Sequence, residues 1–366
     1  MAAIREGHLT HAQGRVVHVG RWLKLLLIAL PIAVVLRVVG NQPVWLFITS
    51  CVAIVPLAQV MGEATEELAK HMGQRIGGLL NATFGNATEL IIALFAIRAG
   101  LFDVVKASIT GSIVGNSLLV LGLALFVGGL RREKQQFTAA TAQMNASLMI
   151  LAVICVMVPA VFSHAHGGMS PSAAHHMSVA FSVTMIVVYL LGLLFSLHTH
   201  RALFETGAER EQAEWGRGKA MGVLAVATIG VALLSEFLVG SIEHVAEHAH
   251  LSRLFIGVVI IPIIGNAAEH AAAVSMAVKD KMDISFSIAV GSTTQIALFV
   301  APFLLLAGHA MGLNMDLVFE PSELVAIGFC VAIVNTISQD GETNWFEGVL
   351  LLAAYVIVAV GFYFVP

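Results

Sequence analysis

The chain has 366 residues, 58% of them hydrophobic and only 11% charged, with a mean hydropathy of +0.89 and a formal net charge of −4. That balance excludes a large soluble core, and no nucleic-acid partner is expected. The net charge decides little; the placement of the charges decides more.

Residues 1–21 form a short tail carrying Arg5, Arg15 and Arg21, which leads into a first apolar run at 22–40. A cleavable signal peptide is the competing reading. The run is unusually long for one, and no small-residue cleavage site follows before "RVVGNQP", so it reads as a retained first helix. Apolar runs near or above spanning length then follow at about 44–68, 76–99, 103–130, 138–163, 176–197, 219–242, 254–278, 283–308, 320–338 and 345–365. The predicted fold is an all-α polytopic membrane protein of eleven transmembrane helices with short connections. Cys51, Cys155 and Cys330 lie within apolar runs and read as packing residues, with no disulfide framework.

With the N-terminus in the cytoplasm, fifteen of the 19 Lys and Arg fall on that side. Only Arg37, Arg98, Lys106 and Arg253 fall opposite. This bias fits the positive-inside rule and puts the C-terminus on the far side.

Shifting the chain by 180 residues superimposes acids and glycines without a gap. Glu63 meets Glu243, Glu67 meets Glu247, Gly77 meets Gly257, Asp103 meets Asp283, Gly111-Ser112 meets Gly291-Ser292 and Gly128 meets Gly308. "FGNATEL" at 84–90 returns as "IGNAAEH" at 264–270. The pattern implies a duplication, 44–197 and 219–365, of five predicted helices each. An odd number of crossings inverts the second copy, the plan of secondary transporters with a substrate site near mid-depth. The link at 198–218 carries Glu205, Glu209, Glu211 and Glu214 and reads as an acidic cytoplasmic connector, with a cation-binding role as the alternative.

Each motif places a carboxylate, Glu89 or Glu269, inside an apolar run, where a charge is costly and usually functional. Gly85 and Gly265 permit a local break, and Pro262 favours a kink. Asn86 with Glu89, and Asn266 with Glu269, are spaced i, i+3 and share a face. The next helix of each copy adds Ser112 and Asn116, or Ser292 and Gln295. Two carboxylates with amide and hydroxyl oxygens suit a hard cation such as calcium, manganese or magnesium. Without the ion, the facing carboxylates repel and are desolvated, so protons take its place.

The stretches "GNATELIIALFAIRAGLFDVVKASITGSIVGNSLLVLGLALFVGG" and "GNAAEHAAAVSMAVKDKMDISFSIAVGSTTQIALFVAPFLLL" resemble the two signature repeats of the calcium/cation–proton exchanger family, within the Ca2+/cation antiporter superfamily. The resemblance extends over roughly 22–365. It implies one helix plus two inverted five-helix halves, and exchange of Ca2+ for H+. By resemblance, the family's motif acids correspond to Glu89 and Glu269, which would hold the metal. Its asparagines correspond to Asn86 and Asn266, and its second-repeat glutamine to Gln295. The linker resembles the family's acidic loop. The N-terminal tail is much shorter than the autoinhibitory tails of plant members, which leans toward a prokaryotic exchanger in the plasma membrane. No cofactor is implied beyond the transported ions. The expected partners are a divalent cation, protons and the lipid bilayer, with a homo-oligomer left open.

Glu63/Glu67 and Glu243/Glu247 are i, i+4 pairs near the ends of the predicted second and seventh helices, which the inverted topology places at the cytoplasmic and the opposite side respectively; they are expected to attract the cation, relay protons or gate access. Ordinary helix-end acids facing water are the plainer reading. His270 adjoins Glu269 and either tunes proton release or bonds to a neighbouring helix. His164, His166, His175, His176, His250 and His309 read as polar loop residues, or as pH sensors or weak metal ligands. A Na+/Ca2+ exchanger of the same architecture is the nearest alternative. A different class, an intramembrane zinc hydrolase, would centre on His244 and His248 in "HVAEH".

Overall fold

The computed structural model describes residues 25–40, 42–164, 170–200 and 213–365. The tail and most of the acidic linker, including Glu205, Glu209 and Glu211, lie outside the described residues. So does His166.

Helices dominate: α1 (Leu26–Val39), α2 (Pro43–Phe84), α3 (Ala87–Arg98), α4 (Phe102–Gly129), α5 (Ala139–His164), α6 (Pro171–Thr199), α7 (Arg217–Ala249), α8 (Arg253–Gly265), α9 (Ala267–Val278), α10 (Met282–Ala310), α11 (Pro321–Ile337) and α12 (Trp345–Phe364). Seven helices among the described residues are long and apolar enough to cross a bilayer, or eight with α8 and α9 as one bent span. α1 and α11 are shorter apolar helices. The protein is a multi-pass integral membrane protein.

Local chemistry sets several boundaries. Ser170 caps α6 by accepting from the Ala173 N–H, with Pro171 at the first helical position, and Asn344 caps α12 by accepting from the Phe346 and Glu347 N–H groups. Glu320 and Glu323 form a reciprocal capping box at the start of α11. A two-residue ladder pairs β1 (Gln135–Gln136) with β2 (Glu342–Thr343), tying the α4–α5 loop to the α11–α12 loop.

The predicted spans 44–68 and 76–99 do not separate at a loop, because Pro43–Phe84 is helical throughout its 42 residues. Eight residues of straight helix rise about 12 Å. Yet a Cβ on Gly77 would lie 2.6 Å from the Ala69 carbonyl oxygen, so the chain doubles back between them without leaving helical conformation. The absence of a side chain at Gly77 permits that approach.

α4 and α10 are the most enclosed spans, whereas α6 and α12 leave most of their surface outward, as lipid-facing helices do. The main core gathers around α4 and α10 through Ile113, Leu121, Leu125, Leu298 and Leu304. A second, separate core of Met61, Ala64, Leu68, Ala220 and Leu224, with Trp215 at its edge, lies between α2 and the first half of α7. The three cysteines are free and buried or half-buried, as packing residues are.

Candidate cation site

Both sequence motifs fall at helix breaks. α2 ends at Phe84, Gly85-Asn86 forms a turn, and α3 starts at Ala87. In the other copy α8 ends at Gly265, and α8 and α9 meet at 59°. Asn86 (φ −99°, ψ 22°) and Asn266 (φ −91°, ψ 8°) occupy the N-cap positions of α3 and α9. Asparagine is favoured there because its side chain accepts from the first-turn amides. Neither does so here, and both side chains instead reach across to the other copy.

Asn86 Nδ2 donates to Gln295 Oε1 at 2.7 Å, and its Oδ1 accepts from Ser292 Oγ at 3.1 Å. Asn266 Nδ2 donates to Ser112 Oγ at 3.2 Å and to the Pro262 carbonyl at 3.0 Å. Asn116 Nδ2 donates to Asn266 Oδ1 at 3.3 Å and to Ser292 Oγ at 3.0 Å. Each motif asparagine therefore bonds the serine contributed by the opposite copy. The backbone follows the same plan: π-type turns occupy Gly115–Val120 in α4 and Ile296–Val300 in α10, next to these side chains. Such turns are frequent at functional sites.

Glu89 and Glu269 sit in the first turns of α3 and α9, where the partial positive charge of a helix start favours an anion. Glu89 is 6% exposed, packed on the backbone of the opposite motif. A Cβ on Gly265 would stand 3.3 Å from Glu89 Cγ and 3.4 Å from its Oε1, so a side chain here would press on that acid. Both Glu89 oxygens, Glu269 Oε2 and Asn116 Oδ1 are buried without a hydrogen-bond partner. All four are acceptors, and the protein itself supplies none of them with a donor, which leaves them free for water, protons or a cation.

The copies differ in what closes over these acids. A Cβ on Gly111 would overlap the Val258 carbonyl and come within 2.5 Å of the Pro262 ring, so α8 crosses α4 backbone to backbone. Gly257 makes the matching approach to Ala107 and Val104. The equivalent crossing, of residues 76–84 against α10, is loose: among the described residues nothing lies within 4 Å of a Cβ on Gly291. A Cβ on Gly78 would instead meet Leu197, at the end of α6, at 2.9 Å. Accordingly Glu269 is half-buried where Glu89 is buried.

The remaining predicted residues diverge. Glu63 is half-buried and accepts from Gln59 Nε2, and Glu243 is exposed and paired with Arg253 at 3.1 Å. Glu247 is exposed, but Glu67 is buried and bonded to Lys70 and Trp215, so the symmetric role expected of them is not mirrored in their surroundings. His270 is half-buried beside Glu269. His175 is not a loop residue: it is buried in α6, with Nδ1 on the Met315 carbonyl and Nε2 2.9 Å from His309 Nδ1. His244 and His248 are exposed, and among the described residues no three His, Cys, Asp or Glu converge on a metal position. The zinc-hydrolase reading therefore has no supporting ligand set. Sequence reading missed Lys106, which bridges Asp316 (3.3 Å) and the Val318 carbonyl (2.8 Å), and Glu323, whose Oε1 accepts from Thr110. Lys106 was legible as one of four far-side cations; the capping role of Glu323 was not.

The model of the sodium/calcium exchanger protein family matches residues 42–198 and 219–364. The chain is 49% identical to the Ca2+/H+ antiporter of Synechocystis over 93% of this chain and 97% of that protein. It is likewise 49% identical to the Ca2+/H+ antiporter ChaA of Bacillus subtilis, over 93% and 99% respectively. The solved structure of native YfkE superposes with a TM-score of 0.83 at 45% identity, covering 94% of this chain and all of that one. The chain belongs to the sodium/calcium exchanger protein family, whose members are secondary transporters rather than enzymes.

Proposed function

We propose that the protein exchanges Ca2+ for H+ across its membrane at a site carried by Glu89 and Glu269. The names and identity of its relatives support the two ions. The observation that carries the site is the group of four buried, unpartnered acceptor oxygens from Glu89, Glu269 and Asn116. Two carboxylates match the charge of one divalent ion, and the amide oxygen adds a neutral ligand. Gln295, Ser112, Ser292, Asn86 and Asn266 hold the two breaks together, with Gly85 and Gly265 allowing the chain to turn. When the ion leaves, protons neutralise the carboxylates in their dry surroundings, and a returning ion displaces them.

In this reading the chain crosses eleven times: a cytoplasmic tail (1–21), a first helix (22–40), two inverted repeats (44–197 and 219–365) and a cytoplasmic linker (198–218). Matched breaks, matched π-type turns and reciprocal Asn–Ser bonds support the repeats. The loose crossing at Gly291 then lies at the cytoplasmic end, so this conformation opens inward, and exchange proceeds as the two crossings loosen in turn.

The test is ⁴⁵Ca2+ uptake into proteoliposomes driven by an imposed pH gradient without sodium, for wild type and Glu89→Gln. Gradient-driven uptake that disappears in the variant is expected. Uptake that requires sodium would move the protein to the sodium-coupled branch.

A further inference from the structure

Trp215 lies just before α7, at the end of the linker, and both of its backbone polar groups are held by α2. Its N–H donates to Glu67 Oε2 at 2.7 Å, and its carbonyl accepts from His71 Nε2 at 2.6 Å. A carbonyl only accepts, so His71 must carry its proton on Nε2. Glu67 and His71 are spaced i, i+4 and lie one above the other on one face of the helix. Lys70 Nζ steadies the other Glu67 oxygen at 2.9 Å, and Arg217 Nη2 donates to the His71 carbonyl at 3.1 Å. The Trp215 ring closes the edge of the second core, with Lys219 Nζ 4.4 Å from its centre. Polar clasp and apolar core thus join the same two stretches, Met61–His71 of α2 and the start of α7, and that core is separate from the one around α4 and α10. Among the described residues the repeat shows no second clasp: the matching positions are the exposed Glu247 and the half-buried Leu251.

We propose that Glu67 and His71 are positioning residues whose clasp on Trp215 fastens the linker's end and the start of α7 to the part of α2 that leads into its reversal. These ends then move as one body during exchange. Glu67 acts as a hydrogen-bond acceptor and carries no transported proton. This rests on the transport reading above.

The experiment uses the full chain in proteoliposomes, with Glu67→Ala and Glu67→Gln compared for maximal uptake rate, apparent KM for Ca2+ and pH profile. Glu67→Ala is expected to lower the maximal rate about tenfold at unchanged KM, because a charge-assisted bond to the backbone is lost. Glu67→Gln keeps an acceptor for the Trp215 N–H and should recover most of that rate with an unaltered pH profile. Equal loss in both variants with a displaced pH profile would make Glu67 a proton carrier and overturn the clasp. Independently, a short thiol cross-link between His71→Cys and Trp215→Cys, in a background without native cysteines, should leave transport running. Arrest on cross-linking would show that the ends must separate. Amide exchange at Trp215 needs no transport: it should be protected in wild type and Glu67→Gln and fast in Glu67→Ala. Wild type without uptake under any gradient would sink the transport reading alone, and unprotected Trp215 in wild type would sink the clasp alone.

Discussion

Two crossings built from the same repeated pattern pack differently. Where α8 meets α4, Gly111 and Gly257 bring backbones into contact, and Glu89 beneath them is sealed. Where α10 passes residues 76–84, no described residue lies within 4 Å of a Cβ on Gly291, and Glu269 is only half-buried. Under the transport reading proposed above, the repeated sequence supplies two crossings that close in turn, and this conformation holds one of them closed. The difference is informative because the tight crossing displays the contact that the loose one lacks.

The strongest way to break this comparison is to treat both acids alike. Glu89→Gln and Glu269→Gln should each reduce exchange by more than about a hundredfold despite their unequal burial, since both are needed to balance a divalent charge. Near-normal exchange in Glu269→Gln would show that only the sealed acid matters. The crossings themselves come next. Gly111→Ala should destabilise the protein by about 1–3 kcal/mol through backbone overlap, whereas Gly291→Ala should be neutral or stabilise by roughly 0.5–1 kcal/mol through helix propensity. Thermal unfolding in detergent reads both, and equal losses would erase the asymmetry. A smaller effect is expected of Gly265→Ala, whose new Cβ would press on Glu89 at 3.3 Å. Its apparent KM for Ca2+ should rise about threefold with little change in folding. An unchanged KM would mean that the Glu89 position is not set by that contact.

The smallest effect belongs to the exposed ion pair of Lys134 and Glu342 beside the β1–β2 ladder. The hydrogen bond from Lys134 holds the Glu342 carboxyl below its ordinary range, and the same bond raises the Lys134 ammonium above its own. A depressed acid contributes above its unfolded pKa and loses that contribution as pH falls through its folded value. A raised base loses its contribution as pH rises through its folded value, so the pair is intact at neutral pH. Salt and solvent screen it, and Glu342→Gln should leave the melting temperature at pH 7 unchanged within error.

The sequence made the site readable because intramembrane acids, asparagines and glycines repeated at one offset are rarely accidental. Asn86, Asn266, Ser112, Ser292, Asn116 and Gln295 meet in one hydrogen-bonded group. What symmetry could not convey was departure from symmetry. Glu67 and Glu247 looked equivalent, but the partner of Glu67 comes from the linker, which has no copy elsewhere in the chain. The reversal between Ala69 and Gly77 was legible in place, from the polar stretch between the predicted spans 44–68 and 76–99, but not in form, because the backbone turns without leaving helical conformation. His175 was misread because a histidine-rich stretch suggests a wet loop, whereas a carbonyl and a second imidazole can satisfy both ring nitrogens in a buried place.

The small core between α2 and α7 also sets an order of assembly. Met61 and Ala64 emerge from the ribosome long before Ala220 and Leu224, and until the latter arrive this stretch of α2 lacks the apolar cover that α7 contributes on that face. The first repeat therefore waits, partly unfinished, for the opening turns of the second. Translation paused within the linker would leave that face uncovered, at the point where a membrane chaperone or a quality-control protease has most to recognise.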